Sequence, residues 1–135
     1  MNKLSKLKNK TLLVVEDDRS SRLLIKHFLE SFEINVVDAD SGEAALKVLE
    51  DHSVEGMLLD IALGAGIDGI DLGKKIKSSG TYAEAPMIAV TAYEKGKLGN
   101  FEAEGFTGYL QKPYNSDQLR ALLESQNFGK KKLLL

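Results

Sequence analysis

The chain contains no cysteine, no apolar run of membrane-spanning length, no internal repeat and no low-complexity segment. The lack of cysteine excludes disulfides and thiolate metal sites, and leaves a reducing cytosol open as the compartment. The shortness of the apolar runs excludes a helical membrane span. Met1 to Lys10 carries lysines at 3, 6, 8 and 10, but no apolar stretch of signal-peptide length follows them, so nothing marks the chain for export. No linker leads to a second domain. The expectation is a cytoplasmic protein without a membrane partner.

What is present fits one ordinary domain. The 135 residues suffice for a sizeable core, and 43% apolar and 28% charged residues lie near globular averages. The net charge of -2 hides a division, because seven of the eighteen basic residues lie in the first ten positions and in Lys130 to Lys132. The segment Thr11 to Gly129 holds all twenty acidic residues and carries a net charge of -9. A body this acidic argues against direct nucleic-acid binding, which needs clustered Lys and Arg. Residues 1–10 therefore read as a basic, solvated extension, 11–128 as the folded domain and 129–135 as a tail.

Apolar runs at Leu12 to Val15, Met57 to Leu59 and Met87 to Val90 lack the alternation of half-exposed strands. They predict central strands of a parallel sheet, buried on both faces. Ile34 to Val37 and Gly108 to Leu110 supply two more strands. Between them, Leu24, Ile25, Phe28, Leu29 and Phe32 form one helical stripe, and Ala45, Leu46 and Leu49 another. Ser41 suits an N-cap, and Asn115 with Gln118 resembles a capping box opening a last helix through Leu119, Leu122 and Leu123. Five strands alternating with five helices predict an α/β sandwich with right-handed crossovers, its fourth helix weakened by Gly96, Gly99 and Gly105.

Three acids, Glu16, Asp17 and Asp18, follow the first strand, and Asp60 ends the third. In doubly wound sheets of order 2-1-3-4-5, ligands bind beyond the carboxyl ends of strands one and three, so both groups face one crevice. Carboxylates so close repel one another unless a cation compensates, which predicts a hard, oxygen-liganded divalent ion such as Mg2+. Helix capping by Asp17 or Asp18 is the ordinary alternative for that group, but it leaves Asp60 without an explanation. Thr91 ends the fourth run at the same edge. Lys112 follows the fifth strand, where its charge would meet a metal-bound anion, and Pro113 after it could hold a cis peptide.

With these residues the chain resembles the receiver domain of two-component response regulators, across about Thr11 to Phe128. The motifs are V-V-E-D-D at Val14 to Asp18, L-L-D at Leu58 to Asp60, D-G at Asp68 and Gly69, V-T-A at Val90 to Ala92 and Y-L-Q-K-P at Tyr109 to Pro113. The resemblance implies a (βα)5 doubly wound, flavodoxin-like three-layer sandwich with a parallel five-stranded sheet in the order 2-1-3-4-5. It implies Asp60 as phosphoacceptor, with Glu16, Asp17, Asp60 and the backbone carbonyl of Ala62 as Mg2+ ligands. Thr91 and Lys112 would contact the phosphoryl oxygens, while Thr91 and Tyr109 would form the switch. A histidine kinase or histidine phosphotransfer protein would be the donor. The output would be a protein target or a homodimer, engaged through the face of the fourth helix, fifth strand and fifth helix. Such a protein catalyses only its own phosphorylation and dephosphorylation.

Between Asp60 and Asp68 the loop reads I-A-L-G-A-G-I, one residue longer than the commonest family spacing and without its usual proline. Ala62 and Tyr93 occupy positions that in the family tune attack by water on the phosphoaspartate. A haloacid-dehalogenase-type phosphatase would need a second acid at Ala62, and a flavodoxin would need a phosphate-binding loop where this chain has E-D-D-R-S. A receiver fragment of a hybrid histidine kinase or multidomain regulator, acting in a phosphorelay, is the nearer alternative.

Overall fold

The computed structural model describes residues 3–64, 66 and 68–128. Strands β1 (Thr11–Val15), β2 (Asn35–Ala39), β3 (Gly56–Asp60), β4 (Met87–Thr91) and β5 (Gly108–Gln111) form one parallel sheet in the order β2-β1-β3-β4-β5. Helices α1 (Arg19–Ser31) and α4 (Ser116–Ser125) cover one face, while α2 (Gly42–Asp51) and α3 (Gly69–Ser78) cover the other. The doubly wound, three-layer order read from the sequence is the observed one.

The central strands are apolar at consecutive positions because each feeds two cores. Leu13, Val15, Met57, Leu59, Met87 and Ala89 join Ala45, Leu72 and Ile76 on the α2/α3 side. Leu12, Val14, Leu58, Ile88 and Val90 join Ile25, Leu29, Leu119 and Leu123 on the α1/α4 side. Successive strand residues point to opposite faces, so a sheet covered on both sides has no polar alternation to display. The edge strands β2 and β5 are less buried.

All four helices open on a side-chain cap. Asp18, Ser41, Asp68 and Asn115 each accept a hydrogen bond from the backbone N–H three residues on, and Gln118 completes the box with Asn115. Each such cap contributes on the order of 1 kcal/mol by satisfying an otherwise orphan donor. In the α1 stripe, Ile25 and Leu29 are buried, whereas Leu24 is 46% exposed.

Two expectations are corrected. The fourth crossover is not an α-helix: it consists of short 3-10 turns at Lys95–Lys97 and Phe101–Glu104, neither with a side-chain cap. Gly99 and Gly105 adopt left-handed backbone (φ 63° and 103°), which interrupts helical continuity, and Gly96 adds backbone entropy that helix formation would have to overcome. The output face implied by the resemblance would therefore consist of these turns with β5 and α4.

Nor is the N-terminal extension solvated throughout. Lys3–Leu7 forms a 3-10 turn that buries Leu4 and Leu7 in the α1/α4 core beside Phe128. Two fully buried leucines stabilise by roughly 1.5–3 kcal/mol each, which holds the segment down despite its lysines. The tail expected at 129–135 lies outside the described residues.

Candidate functional site

The site grows from the carboxyl edge of the sheet. β1 ends at Val15, and the next residue, Glu16, stays buried because its N–H donates to Ala39 O at 3.1 Å, beside β2. The chain then turns into α1 through Asp18, whose Oδ2 accepts from Ser21 N at 2.8 Å. Asp18 thus serves as the cap and leaves Asp17 free of that duty. Asp18 N in turn donates to Glu16 Oε2 at 3.1 Å, orienting the Glu16 carboxylate.

Asp60 is the last residue of β3 and is buried. Its Oδ1 accepts from Ala62 N at 3.0 Å and its Oδ2 from Lys112 Nζ at 3.0 Å. The same ammonium donates to Glu16 Oε1, so one lysine bridges two carboxylates contributed by different strands. Lys112 is held there by its backbone, with N donating to Thr91 O at 2.8 Å, and the Lys112–Pro113 peptide is cis.

The electrostatics follow from crowding. Burial, reinforced by the neighbouring Asp60, pushes the Glu16 carboxyl up to about 7, and the Lys112 hydrogen bond restrains that rise. Burial alone would lower the Lys112 pKa, but its bonds to Glu16 and Asp60 together raise it. The lysine stays charged.

Carboxylate oxygens of Glu16, Asp17 and Asp60 all lie within 4.8 Å of one another. This all-oxygen donor set, compact enough for a single small ion, fits a hard divalent cation. Of the other residues singled out in the sequence, Thr91 lies at the end of β4, beside the Asp60–Val90 pair in the register. It is buried, and its Oγ1 accepts from Tyr93 N at 3.2 Å. Tyr109 lies further out on β5, its hydroxyl donating to Tyr93 O at 2.5 Å and its ring 6.1 Å from that of Phe101.

Two supporting residues escape a reading of motifs alone. Gly69 opens α3 against the backbone of Asp60, and a Cβ there would lie 2.2 Å from Asp60 O. Arg22, one turn beyond the Asp18 cap, donates from Nη1 to Glu16 O at 2.8 Å. Its spacing from Asp18 was the available signal, since a residue four beyond an N-cap lies on the same helix face.

The family described as response regulator receiver domain matches residues 12–124, and the chain belongs to it. Among curated relatives it is similar to the transcriptional regulatory protein YvrH of Bacillus subtilis, with 31% identity over 88% of this chain and 49% of that protein. It is likewise similar to the transcriptional regulatory protein CpxR of Escherichia coli, with 34% identity over 84% and 47%. The chain thus spans about half the length of these relatives. Among solved structures, the chemotaxis protein CheY4 of Vibrio cholerae shares the fold at a TM-score of 0.82 and 24% identity, over 88% of this chain and 99% of that one. The receiver domain of the sensor histidine kinase PA1611 of Pseudomonas aeruginosa matches at a TM-score of 0.76 and 26% identity, over 84% and 93%. That structure has a magnesium ion coordinated in its active-site cleft.

Proposed function

We propose that Asp60 accepts a phosphoryl group from a phosphohistidine on a histidine kinase or phosphotransfer protein, within a receiver unit spanning residues 11–128. The observation that carries this reading is the Lys112 ammonium joining Asp60 to Glu16, with Asp17 in the same cluster. Glu16, Asp17, Asp60 and the backbone carbonyl of Ala62 would hold Mg2+, as the cleft of the PA1611 receiver holds it. Bound there, the ion supplies charge neutralisation for the transferring group. One Asp60 oxygen attacks phosphorus in line, the P–N bond to the donor imidazole breaks, and an acyl phosphate forms on Asp60. Lys112 and the Thr91 hydroxyl neutralise the equatorial oxygens.

A donor surface is suggested next to the site. Leu24, Pro113 and Tyr114, with Ser21, Ala92 and Lys112, line a hollow of about 380 Å³, and Leu23 is 50% exposed on the same helix. Such apolar exposure beside a reactive group suits transient docking. For output, Thr91 turns from Tyr93 N towards the phosphoryl group and Tyr109 moves with it, changing the face made of residues 95–104, β5 and α4. That face acts on a protein target or a second copy. No described helix is long and apolar enough to cross a membrane, and the reading is of a cytoplasmic protein that does not itself contact nucleic acid. A receiver within a phosphorelay protein is the second reading, favoured by the likeness to the PA1611 domain.

The test is intact mass after incubation with Mg2+ and acetyl phosphate, comparing wild type with Asp60→Asn. A single phosphate adduct on wild type alone is the expected result, and an equal adduct on the variant would sink the assignment. Because burial pushes the Glu16 carboxyl up to about 7 and the ion competes with that proton, magnesium affinity measured by calorimetry is expected to fall as the pH drops below about 7. An affinity constant between pH 8 and pH 6 would mean that metal binding is not coupled to a proton on Glu16.

A further inference from the structure

We propose that Arg22 is a positioning residue for the metal-side carboxylates, acting through the backbone of Glu16. This rests on the reading of Glu16 as a ligand. Arg22 joins three elements. It stands in the first turns of α1, its Nη1 donates to Glu16 O at 2.8 Å, and its Nε pairs with Asp38 Oδ2 on β2 at 3.4 Å. The Arg22 side chain is only 18% exposed, which shelters its bond to the carbonyl, while Asp38 at 34% leaves the ion pair open to water on one side.

Two effects of opposite sign act on a cation at the cluster. The guanidinium charge repels it, and removing that charge would tighten binding. Its hydrogen bond fixes the Glu16 peptide, from which the ligating carboxylate projects, and loss of that bond loosens the ligand. Asp38 decides between them. The ion pair with Asp38 leaves Arg22 little net charge to present, while the bond to the carbonyl is unaffected by that neutralisation. Groups that hold a metal ligand in place without touching the ion are commonly worth about 10–100-fold in affinity. Orientation therefore wins, and losing Arg22 weakens binding although it removes a positive charge.

Arginine is needed for its shape. A planar fork can serve a carbonyl and a carboxylate at once, whereas lysine offers one point donor. Arg22→Lys should therefore behave more like Arg22→Ala than like wild type. Asp38→Asn leaves the guanidinium charge uncompensated and also weakens binding, through repulsion.

Calorimetric titration of wild type, Arg22→Ala, Arg22→Lys and Asp38→Asn with MgCl2 tests the proposal. Amide hydrogen exchange in metal-free protein runs alongside it. Expected are about a tenfold loss of affinity in Arg22→Ala and most of that loss in Arg22→Lys. Faster exchange should appear at Glu16 and Asp18, whose amides donate to Ala39 O and to the Glu16 carboxylate, but not at the core amides of β3. Tighter or unchanged binding in Arg22→Ala, or wild-type affinity in Arg22→Lys, would overturn the proposal. So would unchanged exchange at Glu16 and Asp18. If wild type binds no magnesium yet the exchange difference appears, the positioning contact survives and the ligand reading fails.

Discussion

Two connections on the same face of the sheet are built in opposite ways. The one following β3 settles into α3, which is capped by Asp68, buries Leu72 and Ile76, and starts at Gly69 in contact with the backbone of Asp60. The one following β4 remains two uncapped 3-10 turns, with Phe101 its one buried residue within those turns. Asp60, the proposed phosphoacceptor, is thus backed by a capped helix pressed on its backbone, and the proposed output face includes the loosely held turns. Rigidity at the site preserves in-line geometry, while weak anchoring elsewhere lets a small energy difference change a surface.

The strongest way to break this contrast is Gly69→Ala. A Cβ at that point meets backbone, with no side chain able to yield, so stability should fall by about 3 kcal/mol or more in urea unfolding. A loss below about 1 kcal/mol would mean that α3 is not pressed against Asp60. Next comes Phe101→Ala, which removes the apolar anchor of the loose connection. It should cost about 3 kcal/mol, the low end for a buried phenylalanine, because the flanking turns can collapse into the space. Asp68→Ala deletes one cap and should cost about 1 kcal/mol, read as a lower thermal midpoint. Smallest is Gly96→Ala, where an added Cβ meets nothing within 4 Å and φ is not left-handed. A gain of about 0.5 kcal/mol is expected, accompanied by slower amide exchange across 95–98. A loss there would show that the turn is held more tightly than its contacts indicate.

Much of the fold was legible because burial on both faces leaves an unmistakable trace. The runs Leu12 to Val15, Met57 to Leu59 and Met87 to Val90 inside β1, β3 and β4 are apolar at every step, and caps such as Ser41 and Asn115 announce their helices locally. The candidate site was legible in the placement of its side chains for a related reason: four strand ends deliver Glu16, Asp60, Thr91 and Lys112 to one edge, whatever the intervening loops do. What escaped depends on three-dimensional neighbours. Leu4 and Leu7, three apart among lysines, were outweighed by the charge of their stretch, and only the hydrophobic recess beside Phe128 makes them core residues. Arg22 gains its meaning from the carbonyl it reaches. The glycines after β4 warned of a weak helix, but the balance that replaced it with turns was not visible without Phe101 and its partners.

The docked N-terminal turn fixes where the chain enters and leaves its globule. Lys6 Nζ donates to Gln126 O at 3.3 Å, and Leu4 and Leu7 share a cluster with Phe128, so the first and last described residues emerge together. They do so at the pole away from Asp60, because parallel strands begin there and finish at the edge that carries Asp60. In engineering terms the domain is a plug-in module with adjacent terminals. Chain leaving the described residues at Lys3 or Phe128 starts far from the acidic crevice, and a short bridge between those two points would permit circular permutation without rewiring the sheet.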